Sequence, residues 1–464
     1  MGSEGTMGQF KNIKPESLWS REVEIPSRRP LEGNKETEAA VIGAGMAGLL
    51  TAYFLRKQGK KVIVLEADRI AGGQTKNTTA KITSQHGLIY SPLIKKIGKN
   101  KAKLYAMANQ EAVRIYEKLI TEQEINCDFR KLPSVLYSCQ ETDSLKREAE
   151  AAETLGLKAA FTEKTELPFR VEGAVCFEDQ AQFEPLAFVK HISQELEIYE
   201  GTRALSVRGN VIETDHGNVT ADHIVFATHY PFINVPGFYF LRQHQERSYV
   251  LALSGAEQYE NMYYGMDSGA LSFRNAGEYL LLGGSSHRTG DKTCGGAYEK
   301  LVEGAAKLFP ACKIEARWSA QDCVTHDHIP FIGKFSLYHS NWYVATGFKK
   351  WGMTSSMVAA RLITDQICEV ENPYEVLFRP SRFMVRASAQ DLLKDIGIST
   401  AGLIRGGVHR NRRCPHMGCG CRWNPNEQSW DCPCHGSRFK ADGSLIDNPA
   451  QLSKKTGFHQ GVSR

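Results

Sequence analysis

The first unbroken apolar run lies at 38–43, EAAVIG, and predicts a short strand buried on both faces. Residues 46–58 carry apolar positions at helical spacing, and 61–66, KVIVLE, reads as a second buried strand. Strand, turn, helix and strand within about 30 residues open a doubly wound parallel sheet. Further along, the spacing predicts helices over 101–120, 144–155 and 186–197. Strand-like segments fall at 134–138 and 223–228, at 249–253 and 279–282 (an antiparallel sheet), and at 342–346. A strong helix is predicted over 354–368. The stretch 372–405 reads as a linker with one short helix, 387–394, and separates a main body from a cysteine-rich tail.

With 464 residues the chain has room for two to four domains at roughly 100–200 residues each. Residues 1–35 are polar, lack the apolar core of a signal peptide, and read as a flexible lead-in. No stretch reaches the roughly 20 apolar residues of a membrane helix, so a cytoplasmic protein without a transmembrane segment is expected. A net charge of +5 gives no reason to expect a nucleic-acid partner. The basic run Arg405, Arg410, Arg412, Arg413 reads as a solvated face.

The turn after the first strand is Gly43-Ala44-Gly45-Met46-Ala47-Gly48. Gly43 allows the tight turn, Gly45 lets a pyrophosphate approach the backbone, and Gly48 lets the helix pack on the strand. The helix opening there aims free N–H groups and its positive end at phosphate. Glu66, ending the second strand, is placed to bond the ribose hydroxyls of an adenosine. This motif alone does not choose between NAD and FAD. A second glycine-rich turn some 300 residues later, ATGFKKWGMT from Ala345, fits a long cofactor lying across the sheet.

Together with VIGAGMAGLLTAYFL, Glu66, the GGQT segment, FATHYP (Phe226 to Pro231) and WSAQDCVTHDHIPFIG (Trp318 to Gly333), that turn resembles the D-amino-acid oxidase or glycine oxidase family of FAD-dependent oxidoreductases. The resemblance spans about 38–380. It implies an α/β plus α+β fold whose two domains interleave in sequence across 36–380. An FAD part would come from about 36–90, 184–235 and 318–380, and a substrate part with an antiparallel sheet from about 91–183 and 236–317. It implies FAD contacts from Gly43, Gly45, Met46, Ala47, Gly48, Glu66, Ala67, Gly73, Gln74, Thr75, Thr79, Ala227, Gly347, Gly352, Met353 and Thr354. Thr354 is expected to cap the helix predicted over 354–368, whose N-terminus would face the pyrimidine end of the flavin and favour its anionic reduced form. The family further implies a small amine or amino-acid substrate. Arg274 is a candidate partner for its carboxylate and His287 a candidate catalytic group, and Arg288, His229 and Tyr230 are weighed beside them.

Seven of the twelve cysteines are scattered singly, whereas Cys414, Cys419, Cys421, Cys432 and Cys434 crowd into one segment. Cys414-x-His416 and Cys432-x-x-His435 supply two thiolates and two imidazoles, which suit the two irons of a [2Fe–2S] cluster. A zinc site could use the same four residues, though zinc motifs more often use a C-x₂₋₄-C arm. CPHMGC, WDCPCHGSRF and DGSLIDNPA closely resemble Rieske domains. That resemblance implies a Cys419–Cys434 disulfide between the cluster loops and a Ser437 hydroxyl hydrogen bond to the cluster. Cys421 receives no role. Few residues precede the first ligand loop, so 404–464 is expected to be a trimmed Rieske module, a small all-β and loop unit after a linker at 381–403.

The two halves suggest a relay from substrate to FAD to cluster to an external acceptor, which could be a protein, a quinone or oxygen. His ligation raises a Rieske potential to roughly −150 to +300 mV, against about −400 mV for plant-type clusters, which suits it to accept flavin electrons. An electron-transfer protein with no small-molecule turnover is the alternative. A Rieske oxygenase would need a mononuclear iron on two His and a carboxylate, and no convincing second site is legible.

Overall fold

In the computed structural model, which describes residues 13–292, 294–382, 385–454 and 458, the opening motif forms the centre of a mixed eight-stranded sheet. The strand Lys35–Ile42 runs parallel to both Val62–Leu65 and Gly217–Phe226. Glu197–Tyr199, at one edge, and His339–Thr346 extend the parallel centre, and antiparallel strands are added on the other side. Residues 39–42 are buried, as expected of a central strand covered on both faces. On one face, helix Met46–Lys57 packs against helix Gly352–Ile367.

The second sheet also has eight strands. Lys313–Thr325, Gln243–Ser254, Tyr279–Arg288, Ser272–Ala276 and Met262–Gly265 are antiparallel neighbours. The sheet departs from the expected antiparallel pattern at one pair, where Met262–Gly265 runs parallel to Ser134–Ser138. Two expected boundaries also shift. The strand Lys313–Thr325 crosses the division placed at 317/318 and pairs along its length with Gln243–Ser254 of this sheet. Helix Lys99–Glu122, assigned by sequence to the substrate part, packs on helix Gly352–Ile367, with the Tyr116 hydroxyl donating to the Met353 carbonyl at 3.0 Å.

The flexible lead-in needs correction from residue 13 onward; residues 1–12 lie outside the described set. Helix Leu18–Glu22 buries Leu18 and Trp19, and the Trp19 indole donates to the Thr78 carbonyl at 2.8 Å. Local polarity hid this, because two apolar residues suffice to anchor the segment.

The expected linker with a short helix is a 24-residue helix, Val385–Val408, that runs across the 403/404 boundary. Its inner face carries Asp395, Ser399, Gly402 and Gly406. A Cβ on Gly402 would lie 2.5 Å from the Cys434 sulfur, and one on Gly406 would lie 1.9 Å from the Gly418 carbonyl oxygen. Small residues at this spacing let the helix lie directly on the cluster loops.

The tail is a four-stranded antiparallel meander, Arg422–Asn424, Ser429–Asp431, Arg438–Phe439 and Leu445–Asp447. It leans on the body. Gln245 donates to the His435 carbonyl at 2.7 Å, Gln321 to the Gly436 carbonyl at 2.9 Å, and Asn448 to the Thr228 carbonyl at 2.6 Å. Among the described residues no helix is long and apolar enough to cross a membrane.

Candidate active site and cluster site

A cavity of about 1500 Å³ runs from the Gly43 turn to the start of helix Gly352–Ile367. That exceeds the ~300–1,000 Å³ usual for a small-ligand site and leaves room for a dinucleotide and a substrate together. Gly43 sits at φ +107°, and a Cβ there would lie 2.5 Å from the Ala227 carbonyl oxygen. Gly48 does not line the cavity. A Cβ on it would come within 1.9 Å of the Gly43 carbonyl oxygen, so its role is helix–strand packing. At Gly73 and Gly352, both on the cavity wall, a side chain would meet no protein atom within 4 Å. Packing does not require glycine there, and the space it leaves fits a ligand.

The Glu66 carboxylate accepts from the backbone N–H of Ala44 at 2.8 Å and of Asp68 at 2.9 Å, which fixes it at the cavity rim. Burial pushes its pKa up, against these hydrogen bonds. Met46, Ala47, Ala67, Gln74, Thr75, Thr79, Ala227 and Met353 also line the space. The Thr75 hydroxyl accepts from the Met46 N–H at 3.0 Å and so ties the GGQT segment to the helix start.

Two expected contacts fall elsewhere. Gly347, at φ +80°, does not itself line the cavity, although Ala345 and Phe348 do, and a Cβ there would strike Thr325. Thr354 is not the helix cap. The helix begins at Gly352, and the Thr354 hydroxyl donates to the Thr83 carbonyl at 3.1 Å within the core.

Arg274 is corrected from substrate partner to structural tie. It is 1% exposed and does not line the cavity. Its guanidinium donates to Gln182, to the Thr79 carbonyl and to the Phe183 carbonyl, and lies 5.0 Å from the Trp19 ring centre. Tyr230 and Arg288 are off the cavity wall as well, while His229 and His287 are on it.

The His287 Nδ1 faces the Arg288 carbonyl at 2.8 Å, so that nitrogen carries the hydrogen and Nε2 accepts from the Tyr249 hydroxyl at 2.9 Å. Burial lowers its pKa, so the ring is held neutral. Sequence reasoning passed over Lys81 as a functional group. It is buried on the cavity wall, with Nζ donating to the Tyr263 carbonyl and the Ser272 hydroxyl, both at 2.7 Å. Desolvation, with the Arg274 charge, brings its pKa down to about 7. Lysine is common in sequences, and only burial distinguishes this one.

The tail completes the cavity wall with Glu427, Arg438, Asp447 and Asn448. Glu427 pairs with the buried Arg247 at 3.0 Å and with Arg438 at 3.3 Å.

In the tail, Cys414, Cys419, Cys421, Cys432, Cys434 and His435 are buried and His416 is half-buried. The His416 and His435 rings are 5.0 Å apart and perpendicular. Both Nδ1 atoms are buried without a hydrogen-bond partner, which fits a pair of imidazoles held for metal. The Cys414, Cys419, Cys421 and Cys434 thiols hydrogen-bond to Cys432 and hold its pKa well below the usual thiol range, favouring a thiolate ligand. The sulfurs of Cys419, Cys432 and Cys434 lie within 4.8 Å of one another, a triplet compact enough for one ion. The ligands of a two-iron cluster divide between two metals, so compactness is a poor guide here, and the two free Nδ1 atoms favour the Cys414, His416, Cys432, His435 set.

The Cys419 and Cys434 sulfurs, free thiols in this structure, lie within 4.8 Å of each other, so the expected pair is brought together between the two loops. Cys421, given no role by sequence, packs against the two candidate cysteine ligands. The Ser437 hydroxyl accepts from the Ala450 N–H at 3.0 Å.

Residues 38–366 match the family described as DAO, FAD dependent oxidoreductase. The chain belongs to this family. Residues 408–456 match the Rieske [2Fe-2S] domain, so this DAO family member holds both FAD and a [2Fe–2S] cluster. YhfW of Bacillus subtilis, named as a Rieske 2Fe-2S iron-sulfur protein, is 35% identical across 95% of this chain and 97% of its own length. Among solved structures, glycine oxidase from Geobacillus kaustophilus is similar at TM-score 0.64 and 18% identity, over 75% of this chain and 99% of that one. L-amino acid deaminase from Proteus vulgaris is similar at TM-score 0.62 and 17% identity, over 78% and 100% respectively.

The types of ligand sought for a mononuclear iron do meet in this DAO family chain. Asp395 accepts from His326 at 2.8 Å and His244 at 3.1 Å. The Arg288 guanidinium, however, is paired with the same carboxylate. A cation already on the carboxylate competes with a divalent metal, and Arg288 also donates to the Pro433 carbonyl at 3.2 Å. The cluster of charges is therefore a clamp between body, helix and cluster loop.

Proposed function

We propose that this chain oxidises a small amine or amino acid at the carbon bearing nitrogen and passes electrons to an external acceptor, the FAD supplying the two-electron oxidation and the [2Fe–2S] cluster the one-electron exit. The docking of the second cluster loop on the cavity wall carries the proposal. Gln245 holds the His435 carbonyl, while its neighbours His244 and Glu246 line the cavity. Alternation along one strand thus puts adjacent residues to work on the two sites. The names of the similar structures, a glycine oxidase and an L-amino acid deaminase, support the substrate class.

Before its carbon can be oxidised, a substrate ammonium must lose a proton. Lys81 is assigned that role, since an amine with a pKa of about 7 is largely neutral above that pH. Below about 7 it is protonated and cannot accept. Anaerobic flavin reduction is therefore expected to speed up as pH rises through about 7, and Lys81→Met should remove that limb and slow reduction by about 10²-fold or more. An unchanged profile in the variant would assign the limb to another group.

The whole reading is tested by mixing anaerobic holoprotein with a panel of amino acids and amines, following flavin absorbance and the cluster's paramagnetic signal together. Both centres are expected to become reduced. Flavin bleaching with a cluster that stays oxidised would refute the relay. Reduction by a protein donor but by no amine would instead favour the electron-transfer alternative.

A further inference from the structure

Helix Val385–Val408 is amphipathic in the reverse of the usual sense. Its inner face, Asp395, Ser399, Gly402 and Gly406, is small or charged and lies on the cluster loops and the body. Its outer face is apolar and exposed: Leu393 is 71% exposed, Ile404 66% and Val408 72%, with Ile396 and Leu403 beside them. Residues 396–404 contain no charged side chain.

The surface continues beyond the helix. Leu241, from a turn that touches the helix, is 49% exposed, and Met417, next to His416, is 37% exposed. Large apolar side chains gathered on one face are unusual on a soluble surface and mark a contact. Charge suggests what the contact is. The helix runs directly into Arg410, Arg412 and Arg413, with Arg410 and Arg413 exposed, and Lys394 is exposed at the other end of the stripe. An apolar helix face bordered by cationic residues suits an anionic lipid surface, with the helix lying in the interface.

We propose that this helix face docks the protein on the surface of an anionic lipid bilayer. The helix would lie along the headgroups, with Leu393, Ile404 and Val408 toward the acyl chains and the arginines on phosphate. The Cys414–His416 loop, whose neighbour Met417 shares the exposed surface, then sits next to lipid. Docking requires no electron transfer. If the relay proposed above is also correct, the acceptor belongs to the lipid-soluble quinone class.

The test uses full-length holoprotein and flotation with vesicles of phosphatidylcholine alone or mixed with phosphatidylglycerol. Binding to the mixed vesicles is expected, weakening with added salt. The double variant Leu393→Asp/Ile404→Asp should lower that binding by about tenfold or more, while leaving the flavin and cluster spectra unchanged, because both side chains point away from the body. Arg410→Glu/Arg413→Glu should lower it with the same spectra. Failure of the wild-type protein to float with anionic vesicles would overturn the proposal, as would undiminished binding of both double variants. So would a dimer by light scattering that the aspartate variant dissociates, since the face would then belong to a second copy. Flotation needs no turnover, so a failed relay and a failed docking are read separately.

Discussion

Cys432→Ser is expected to leave a flavin-coloured protein without iron. Iron should fall from two atoms per chain to near none, and the cluster's visible bands and paramagnetic signal should vanish together. Cys432 is buried at the meeting point of four other thiols. The FAD body has its own sheets and core, so flavin content should survive. Cys421→Ser is the control, since Cys421 stands outside the ligand set and its variant should keep its iron. Iron retained by Cys432→Ser would overturn the assignment and point to a ligand set that leaves Cys432 out. Iron analysis and absorption spectra of the two purified variants suffice.

Gly48→Ala, a single added methyl, is expected to remove the flavin. The new Cβ would meet the backbone carbonyl of Gly43 at 1.9 Å, and a backbone atom cannot rotate away as a flexible side chain would. Relief requires the helix Met46–Lys57 to move off the strand, shifting the helix start that lines the cavity. The cost is about 3 kcal/mol, at the upper end for overpacking, with FAD affinity lower by at least about tenfold. Thermal unfolding and flavin released on dialysis measure the two effects. Gly73→Ala is the informative contrast. Its Cβ meets no protein atom within 4 Å, so it should leave apoprotein stability nearly unchanged and affect only FAD binding.

Residues whose role is set by the local chain were legible. The strand–turn–helix run fixed the parallel centre of the first sheet, because AAVI has no polar face to present to water. The predicted strand 134–138 matches the observed Ser134–Ser138, and helix 101–120 lies inside Lys99–Glu122. The CxH and CxxH spacings were readable because ligand loops are short and their residue types unusual. Thr354 and Arg274 misled for a common reason. Each has a chemistry suited to the expected task, but the core claims them first: Thr354 for the Thr83 carbonyl, and Arg274 for Gln182 and two carbonyls. Lys81 went unrecognised for the converse reason, since a buried lysine looks like any other in sequence.

By itself, the sequence determined that an FAD-type turn and a cluster-type tail share one chain, since both are spelled out by residues close together. Only the tertiary structure decided that the tail walls the cavity that begins at the Gly43 turn, through Gln245, Gln321 and the Arg247–Glu427 pair, each linking residues more than 100 positions apart. It also decided that the supposed linker is a helix turning its apolar side to solvent. Short-range spacing encodes local conformation and ligand geometry, whereas which distant surfaces meet depends on shape and burial summed over the whole fold, which no local pattern carries.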